Sequence, residues 1–474
     1  MTTLDIEFSL FFHLFTTPRP EMQFKNYSVL QLLLLVITLL LGTVLANQFT
    51  TLTNVGYIYD AKRFLVIMFA LCAVLVATCN RNLSIMLPSK KQQIALAVFF
   101  AVAFASALQS KHYYWGVIEL INISFLITIF VLFKSIFLQL SKEQLARLTF
   151  FAAAWFSAFH FVVYLLNLSF FYLDANSFDS HSLIVGYDNI RFLNQLQVMV
   201  YPIFLMPFLF SKLEKYKLVS LVLASLHWFV LLQMEARGAM LSLIVAFSVI
   251  LFYLSKKHRA LVTSFFFRTL IYAVLLWFIF VVALPFIFFN ESSLQVRTSS
   301  SGRLDMWLHA IKLIPESPWL GFGPMSYAWL GGRPLANAHP HNSIIQLMYE
   351  YGVVLALLIL GGLLNWLHNA FDKVKMNANV LDICLVFSIL SAVLYSLLSG
   401  VIVMPFSQLL LTILIAAVSA SNAKDNCYPL RLRYRVIFFI AILIASTVLI
   451  SSYNHEELKQ TGHPRFWVNG AISF

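Results

Sequence analysis

Residues 338–352, Ala-His-Pro-His-Asn-Ser-Ile-Ile-Gln-Leu-Met-Tyr-Glu-Tyr-Gly, gather groups capable of acid–base chemistry in a chain that is otherwise mostly apolar. An imidazole has an unperturbed pKa of about 6.5, so His341 can exchange a proton near neutral pH. Pro340 disfavours helical geometry at His339, and Asn342 is well placed to cap the helix that follows. One face of this helix is predicted to carry a polar residue at every fourth position: Asn342, Gln346 and Glu350.

Three arginines near the ends of predicted membrane spans are candidates for binding an anion. They are Arg191, Arg237 and Arg303. An arginine beside a membrane cavity is costly unless it is paired or solvated, and its planar fork fits the oxygens of phosphate and pyrophosphate. Any one of them is also explained by a side chain that reaches the membrane interface. Three on one predicted face, with His341 nearby in the predicted topology, favour an anion site.

Other polar residues are candidates for supporting roles. Asp305 and Glu350 could orient an arginine or His341, and His339 is expected to shape the turn or support its neighbour. Gln195 begins a predicted span, where it could bind sugar hydroxyls or hydrogen-bond to another helix. A zinc site made from the two histidines and one carboxylate has no supporting HExxH or paired-cysteine spacing, and no Walker or dinucleotide motif occurs. The sequence therefore predicts no metal and no cofactor.

The composition is that of a membrane protein. Of 474 residues, 60% are hydrophobic and 11% charged, and the mean hydropathy is +0.83. Apolar runs of about 17 to 25 residues, long enough to cross a bilayer as helices, recur along almost the whole chain. We predict an all-α fold with one polytopic membrane domain, residues 1–474, and about 12–13 transmembrane helices. The predicted spans are approximately 27–46, 64–79, 94–108, 117–138, 148–171, 193–210, 217–234, 238–254, 269–289, 344–365, 380–398, 401–420 and 434–452.

Basic residues predict the orientation of these spans, because lysine and arginine collect in cytoplasmic loops. The formal net charge of +12 resides almost entirely in one set of loops, so it reflects topology and gives no reason to expect a nucleic-acid partner. The opposite side holds two long segments, 172–192 and 290–343. The second is predicted to be an ordered outward-facing loop that contains an amphipathic helix over 303–314 and leads into the histidine motif.

Four motifs, in order along the chain, resemble the O-antigen ligase superfamily. This superfamily includes O-antigen ligases, O-antigen polymerases and the O-oligosaccharyltransferases that glycosylate pilins. The resemblance covers about residues 185–400 and does not separate these members. The motifs are Ala-Arg-Gly-Ala at 236–239, Ser-Gly-Arg-x-x-x-Trp at 301–307, Pro-Trp-Leu-Gly-Phe-Gly at 318–323, and His-Pro-His-Asn-x-x-x-Gln-x-x-x-Glu-x-Gly at 339–352.

The resemblance implies a GT-C-like glycosyltransferase of the bacterial inner membrane, with its active site facing the periplasm. It implies a glycan donor linked to undecaprenyl pyrophosphate, and neither a metal nor a nucleotide sugar. By motif, Arg237 and Arg303 would hold the pyrophosphate, with Arg191 as a third candidate. His341 would activate the acceptor hydroxyl or assist departure of the pyrophosphate. The acceptor is open between lipid A core and a serine or threonine of a pilin.

Two other functions are compatible with the sequence. An O-antigen polymerase would extend the lipid-linked glycan itself. In a transporter of a lipid-linked or anionic glycan, the same arginines would line the route across the membrane. Such a protein would need charged or broken helices near the middle of the membrane.

Overall fold

A computed structural model describes residues 50–51, 55–79, 83–173, 183–289, 302–335, 337–377, 379–421, 428–453 and 465–468. Most of this part of the chain is helical. Its strands are β1 (Ser84–Ile85) and β2 (Tyr428–Pro429), which pair antiparallel. The prediction of an all-α fold is confirmed.

Fourteen helices of the described residues are numbered in chain order, with short helical continuations left without numbers. They are α1 (Ile58–Cys79), α2 (Lys90–Gln109), α3 (Tyr113–Phe137), α4 (Lys142–Leu173), α5 (Ile190–Val200), α6 (Lys217–Gln233), α7 (Arg237–Tyr253), α8 (Lys256–Trp277), α9 (Arg303–Leu313), α10 (Ser343–Tyr351), α11 (Val353–Asn377), α12 (Val380–Ser396), α13 (Pro405–Ser421) and α14 (Leu432–Ser451).

Eight helical stretches in the described part of the chain are long and apolar enough to cross a membrane, and α7, α12 and α13 are shorter apolar helices. The protein is therefore a multi-pass membrane protein. The predicted span over 27–46 lies outside the described residues, so the total of about 12–13 spans stays a prediction.

Three of the spans change helix type along their length, and one of these begins with the 3-10 helix Ser211–Tyr216 before α6. After α5 the chain continues as the 3-10 helix Tyr201–Leu205 and the short α-helix Met206–Leu209. Pro202 and Pro207 lie at the starts of these pieces, where a missing N–H is tolerated. After α8, residues Phe278–Ala283 form a π-helix.

The prediction of one continuous span over 344–365 is wrong. The helix breaks at Gly352, which has a φ of +81° and separates α10 from α11. The N–H of Val353 donates to the carbonyl of Pro318 at 2.8 Å, so the 318–323 turn lies against the break. A Cβ at Gly352 would overlap the backbone of this turn. The glycine is therefore required by close approach as well as by its backbone conformation.

The amphipathic helix predicted over 303–314 is confirmed as α9. Met306 and Ala310 are buried, and Ala310 packs in a cluster that includes Ile345 of α10. Leu304 and Leu308 instead lie on an exposed apolar face. Such a face fits a helix that lies along a membrane interface.

Candidate active site

The start of α10 fixes the position of His341. Asn342 is the N-cap, and its Oδ1 accepts hydrogen bonds from the N–H groups of Ile344 at 3.0 Å and Ile345 at 3.1 Å. The predicted cap is thus confirmed. His341 precedes it with a φ of +55°, a left-handed conformation that is uncommon for a residue other than glycine. The chain therefore turns sharply at this histidine.

The two histidines contact each other directly. Their ring centroids are 4.2 Å apart at an interplanar angle of 73°, and the N–H of His341 donates to Nδ1 of His339 at 3.3 Å. His339 is buried against Gly400, where an added Cβ would lie 2.5 Å from its Cε1. On another side, Nε1 of Trp307 donates to the carbonyl of Pro340 at 2.8 Å. The loop is held both by α9 and by the α12–α13 connection.

The three predicted arginines come from three different helices and lie close enough to influence one another. Arg191 is in the first turn of α5, and Arg237 and Arg303 are the first residues of α7 and α9. Burial lowers the pKa of Arg303, and the positive charges of Arg191 and Arg237 lower it further. Nε of Arg303 is buried with no hydrogen-bond partner among the described residues. This cluster of cations is suited to an anion with several oxygens.

His341 lies beside two of these arginines, Arg191 and Arg303. Burial, followed by the charges of Arg191 and Arg303, lowers the pKa of His341 to about 3. Its Nδ1 is buried and has no hydrogen-bond partner in the described part of the chain. His341 is therefore neutral near pH 7, and a neutral imidazole can accept a proton.

The predicted polar stripe on α10 is present, and the contacts of its last two members are with each other and with Arg465. Nε2 of Gln346 donates to Oε2 of Glu350 at 3.2 Å. The same Glu350 oxygen lies 2.7 Å from Nη2 of Arg465, and Glu119 of α3 is 3.8 Å from that nitrogen. Glu350 thus orients an arginine, as expected of it, although the arginine is one that was not predicted to belong to the site.

Gln195 and Asp305 have different surroundings. Gln195 is buried, donates to Oγ of Ser399 at 3.0 Å and accepts from Oγ of Ser407 at 2.6 Å. These bonds join α5 to residues around α13 and favour the helix–helix alternative for Gln195. Asp305 is exposed and forms no ion pair with any described residue. The structure does not bring it to an arginine or to His341.

Several residues near the site were missed by sequence reasoning. Oγ of Ser396 and Oγ of Ser343 are 2.8 Å apart, which ties the end of α12 to the start of α10. Glu119 carried a signal that was overlooked, because a carboxylate within a predicted span needs a partner. Gly400 and Arg465 gave no local signal, since only the fold brings them to α10.

The described residues contain no group of three or more histidine, cysteine, aspartate or glutamate side chains able to hold a metal ion.

Residues 219–360 match a family model described as O-antigen ligase. The matched region includes Arg237, Arg303 and His341, and it supports the superfamily that the four motifs predicted. No curated protein matches the chain.

Proposed function

We propose that this chain, whose residues 219–360 match a family model described as O-antigen ligase, transfers a glycan from an undecaprenyl-pyrophosphate carrier to an acceptor hydroxyl at the periplasmic face of a bacterial inner membrane. The acceptor is lipid A core or a pilin serine or threonine. The observation that carries this proposal is the placement of a neutral His341 beside Arg191 and Arg303, with Arg237 near Arg303, on separate helices.

The arginines suit the donor because its leaving group is a pyrophosphate. Arg191, Arg237 and Arg303 bind the phosphate oxygens and stabilise the negative charge that grows on them as the glycosidic bond breaks. The buried Nε of Arg303, which has no partner among the described residues, is available for one of these oxygens. Stabilisation by fixed cations would explain catalysis that needs no metal.

His341 handles the proton. The acceptor hydroxyl oxygen forms a bond to the anomeric carbon of the glycan while its proton passes to the neutral imidazole. The bond between the anomeric carbon and the phosphate oxygen breaks, and its electron pair leaves with undecaprenyl pyrophosphate. The imidazolium then returns its proton to water. A general base of this kind contributes roughly 10²- to 10⁴-fold to a rate.

Extension of the lipid-linked glycan is the second candidate function, because ligases and polymerases share the superfamily. It differs only in the acceptor, which would be another lipid-linked glycan. The two functions are distinguished by whether a deletion strain loses the glycosylated final acceptor or the long lipid-linked glycan.

A deletion strain complemented with variants tests the proposal. We expect loss of glycan from lipopolysaccharide or from pilins, and restoration by the wild-type chain but by neither His341→Ala nor Arg303→Ala at equal membrane levels. His368→Ala is the matched control, since this exposed histidine pairs with Asp372 on α11. Full activity of His341→Ala would refute the proposal. If long glycan chains are lost from the lipid carrier while glycan is still transferred to the final acceptor, the protein is the polymerase.

A further inference from the structure

Arg465 is a buried cation that joins two helices at the candidate site. It is 2% exposed, and its two carboxylate partners, Glu350 of α10 and Glu119 of α3, are 0% and 9% exposed. The Glu350 contact is a direct hydrogen bond of 2.7 Å. Removing one partner of a buried ion pair is strongly destabilising, because the other charge is left without compensation.

The segment 465–468 is held in place by the first turns of α1. Arg63 donates from Nη2 to the carbonyl of Arg465 at 3.3 Å and from Nε to the carbonyl of Phe466 at 3.1 Å. The N–H of Val468 donates to Oδ1 of Asp60 at 2.8 Å. Since its backbone is fixed by charged side chains of α1, Arg465 presents its guanidinium to α10 from a rigid base.

The other end of α10 leads to His341. Glu350 is eight residues after the Asn342 cap, a distance of about 12 Å along a helix. Its carbonyl also accepts from the N–H of Gly323 at 3.0 Å and from Oγ of Ser106 at 3.0 Å. The last turn of α10 is therefore fixed on three sides, and among the described residues only Arg465 brings an opposite charge to the Glu350 side chain.

We propose that Arg465 is a positioning residue for the transfer reaction: by holding Glu350 it sets the placement of α10, and thereby of His341 relative to the arginine cluster. This inference rests on the proposed function. Without the guanidinium, Glu350 loses its 2.7 Å partner on the segment 465–468, and the contact that holds the last turn of α10 in place is gone. A misplacement of about 1 Å can cost on the order of 10²-fold in rate.

The pKa of Glu350 can be followed as a second measurement, because it would not change if Arg465 contributed only packing. Burial raises the pKa of Glu350 to about 7, Arg465 acts against this rise, and Glu119 adds to it. Loss of the Arg465 charge therefore raises the pKa of Glu350 further. The titratable and charged groups around Glu350 are Arg465, Glu119, Tyr327, Tyr349 and Tyr351.

The test uses full-length protein in proteoliposomes with a lipid-pyrophosphate-linked glycan as donor. Transfer is measured from pH 5.5 to 9, a range of roughly 1.5 to 2 units either side of the Glu350 value. For Arg465→Gln we expect kcat per folded molecule to fall about 10- to 100-fold, with the donor KM changed less than about twofold. Arg465→Lys keeps the charge without the planar fork, so its kcat should lie between those of the wild type and Arg465→Gln.

Two further results are expected if Arg465 acts through Glu350. The inflection of the wild-type pH profile near 7 should move upward in Arg465→Gln and be absent in Glu350→Gln. The double variant, Glu350→Gln with Arg465→Gln, should lose less activity than the product of the single losses, because both remove the same contact.

Arg435→Gln is the matched control. Arg435 is also buried, and its Nη1 donates to the carbonyl of Thr78 at 2.7 Å, away from α10. We expect it to change the amount of folded protein while kcat and the pH midpoint stay at their wild-type values. The inference is overturned if Arg465→Gln retains the wild-type kcat and pH midpoint. If the glutamine variant does not fold, the same result for Arg465→Lys overturns it. Transfer by His341→Ala at the wild-type rate would instead refute the proposed function.

Discussion

The N–H of His341 donates to Nδ1 of His339 across 3.3 Å, and this bond spans a left-handed turn at His341 with a φ of +55°. Such a conformation costs about 1–3 kcal/mol outside glycine and persists where the surroundings hold it. His339 provides part of that hold, because its own ring is packed against Gly400. The two histidines therefore have separate roles in which one supports the placement of the other.

His339→Ala is expected to lower transfer by roughly tenfold, since it removes one hydrogen bond of about 1 kcal/mol and opens space under the turn. His339→Asn keeps an acceptor for the N–H of His341 and should retain more activity. The measurement is the initial rate at saturating donor for both variants. Equal rates for alanine and asparagine would show that the hydrogen bond does not matter.

Gly400→Ala tests the packing beneath His339. The new Cβ would lie 2.5 Å from Cε1 of the ring, so the ring must move. We expect a fall in activity of about tenfold or more, with normal membrane insertion. Gly361→Ala is the control, because nothing lies within 4 Å of a Cβ there and alanine favours the helix. A fully active Gly400→Ala variant would argue against a rigid His339.

The cap of α10 is expected to contribute about 1 kcal/mol, which Asn342→Ala would remove and Asn342→Ser would largely keep. Because the cap adjoins His341, the alanine variant should lose both thermal stability and transfer rate. Asn379→Ala is matched to it, since Asn379 caps α12 through a bond to the N–H of Leu381. That control should lose stability with little change in the rate per folded molecule.

The pKa of His341 predicts a pH dependence with a definite sign. It is lowered in the folded protein from an ordinary value of 6.5 to about 3, so the neutral ring is favoured. Its contribution to the free energy of unfolding is present above about pH 6.5 and is lost as the pH falls toward about 3. Arg303→Gln removes one of the causes and should raise the pKa of His341. Inorganic pyrophosphate bound at the arginines should raise it too, as measured by NMR of labelled histidine.

Titration of the His341→Gln variant identifies the His341 resonance in that experiment. A pKa that stays unchanged in Arg303→Gln would mean that the two side chains do not interact, and would separate the histidine from the anion site.

Much of the fold follows from patterns that act locally. Apolar runs of membrane length predicted the helices, and Asn342 before a periodic segment predicted the start of α10. The break at Gly352 was missed because the residues before it keep helical spacing and those that follow it are apolar, so the pattern looks like one continuous helix. Its cause is the distant 318–323 turn, whose backbone bonds to the end of α10.

The residues around the candidate site also divide into those that the sequence predicted and those that only the fold reveals. The motifs gave His341 and the arginines, and the structure brings them together from α5, α7, α9 and the loop before α10. Arg465 could not be found by spacing, because its partner Glu350 is 115 residues away along the chain. Asp305 has a suitable residue type and position in the sequence, but its helix face turns it to the outside.

The central claim is that His341 accepts the proton of the acceptor hydroxyl. It is tested most directly by single-turnover transfer in proteoliposomes loaded with the lipid-pyrophosphate-linked glycan, comparing wild type with His341→Ala. We expect the rate of glycan transfer to fall roughly 10²- to 10⁴-fold while the donor still binds. Transfer by His341→Ala at the wild-type rate would contradict the claim.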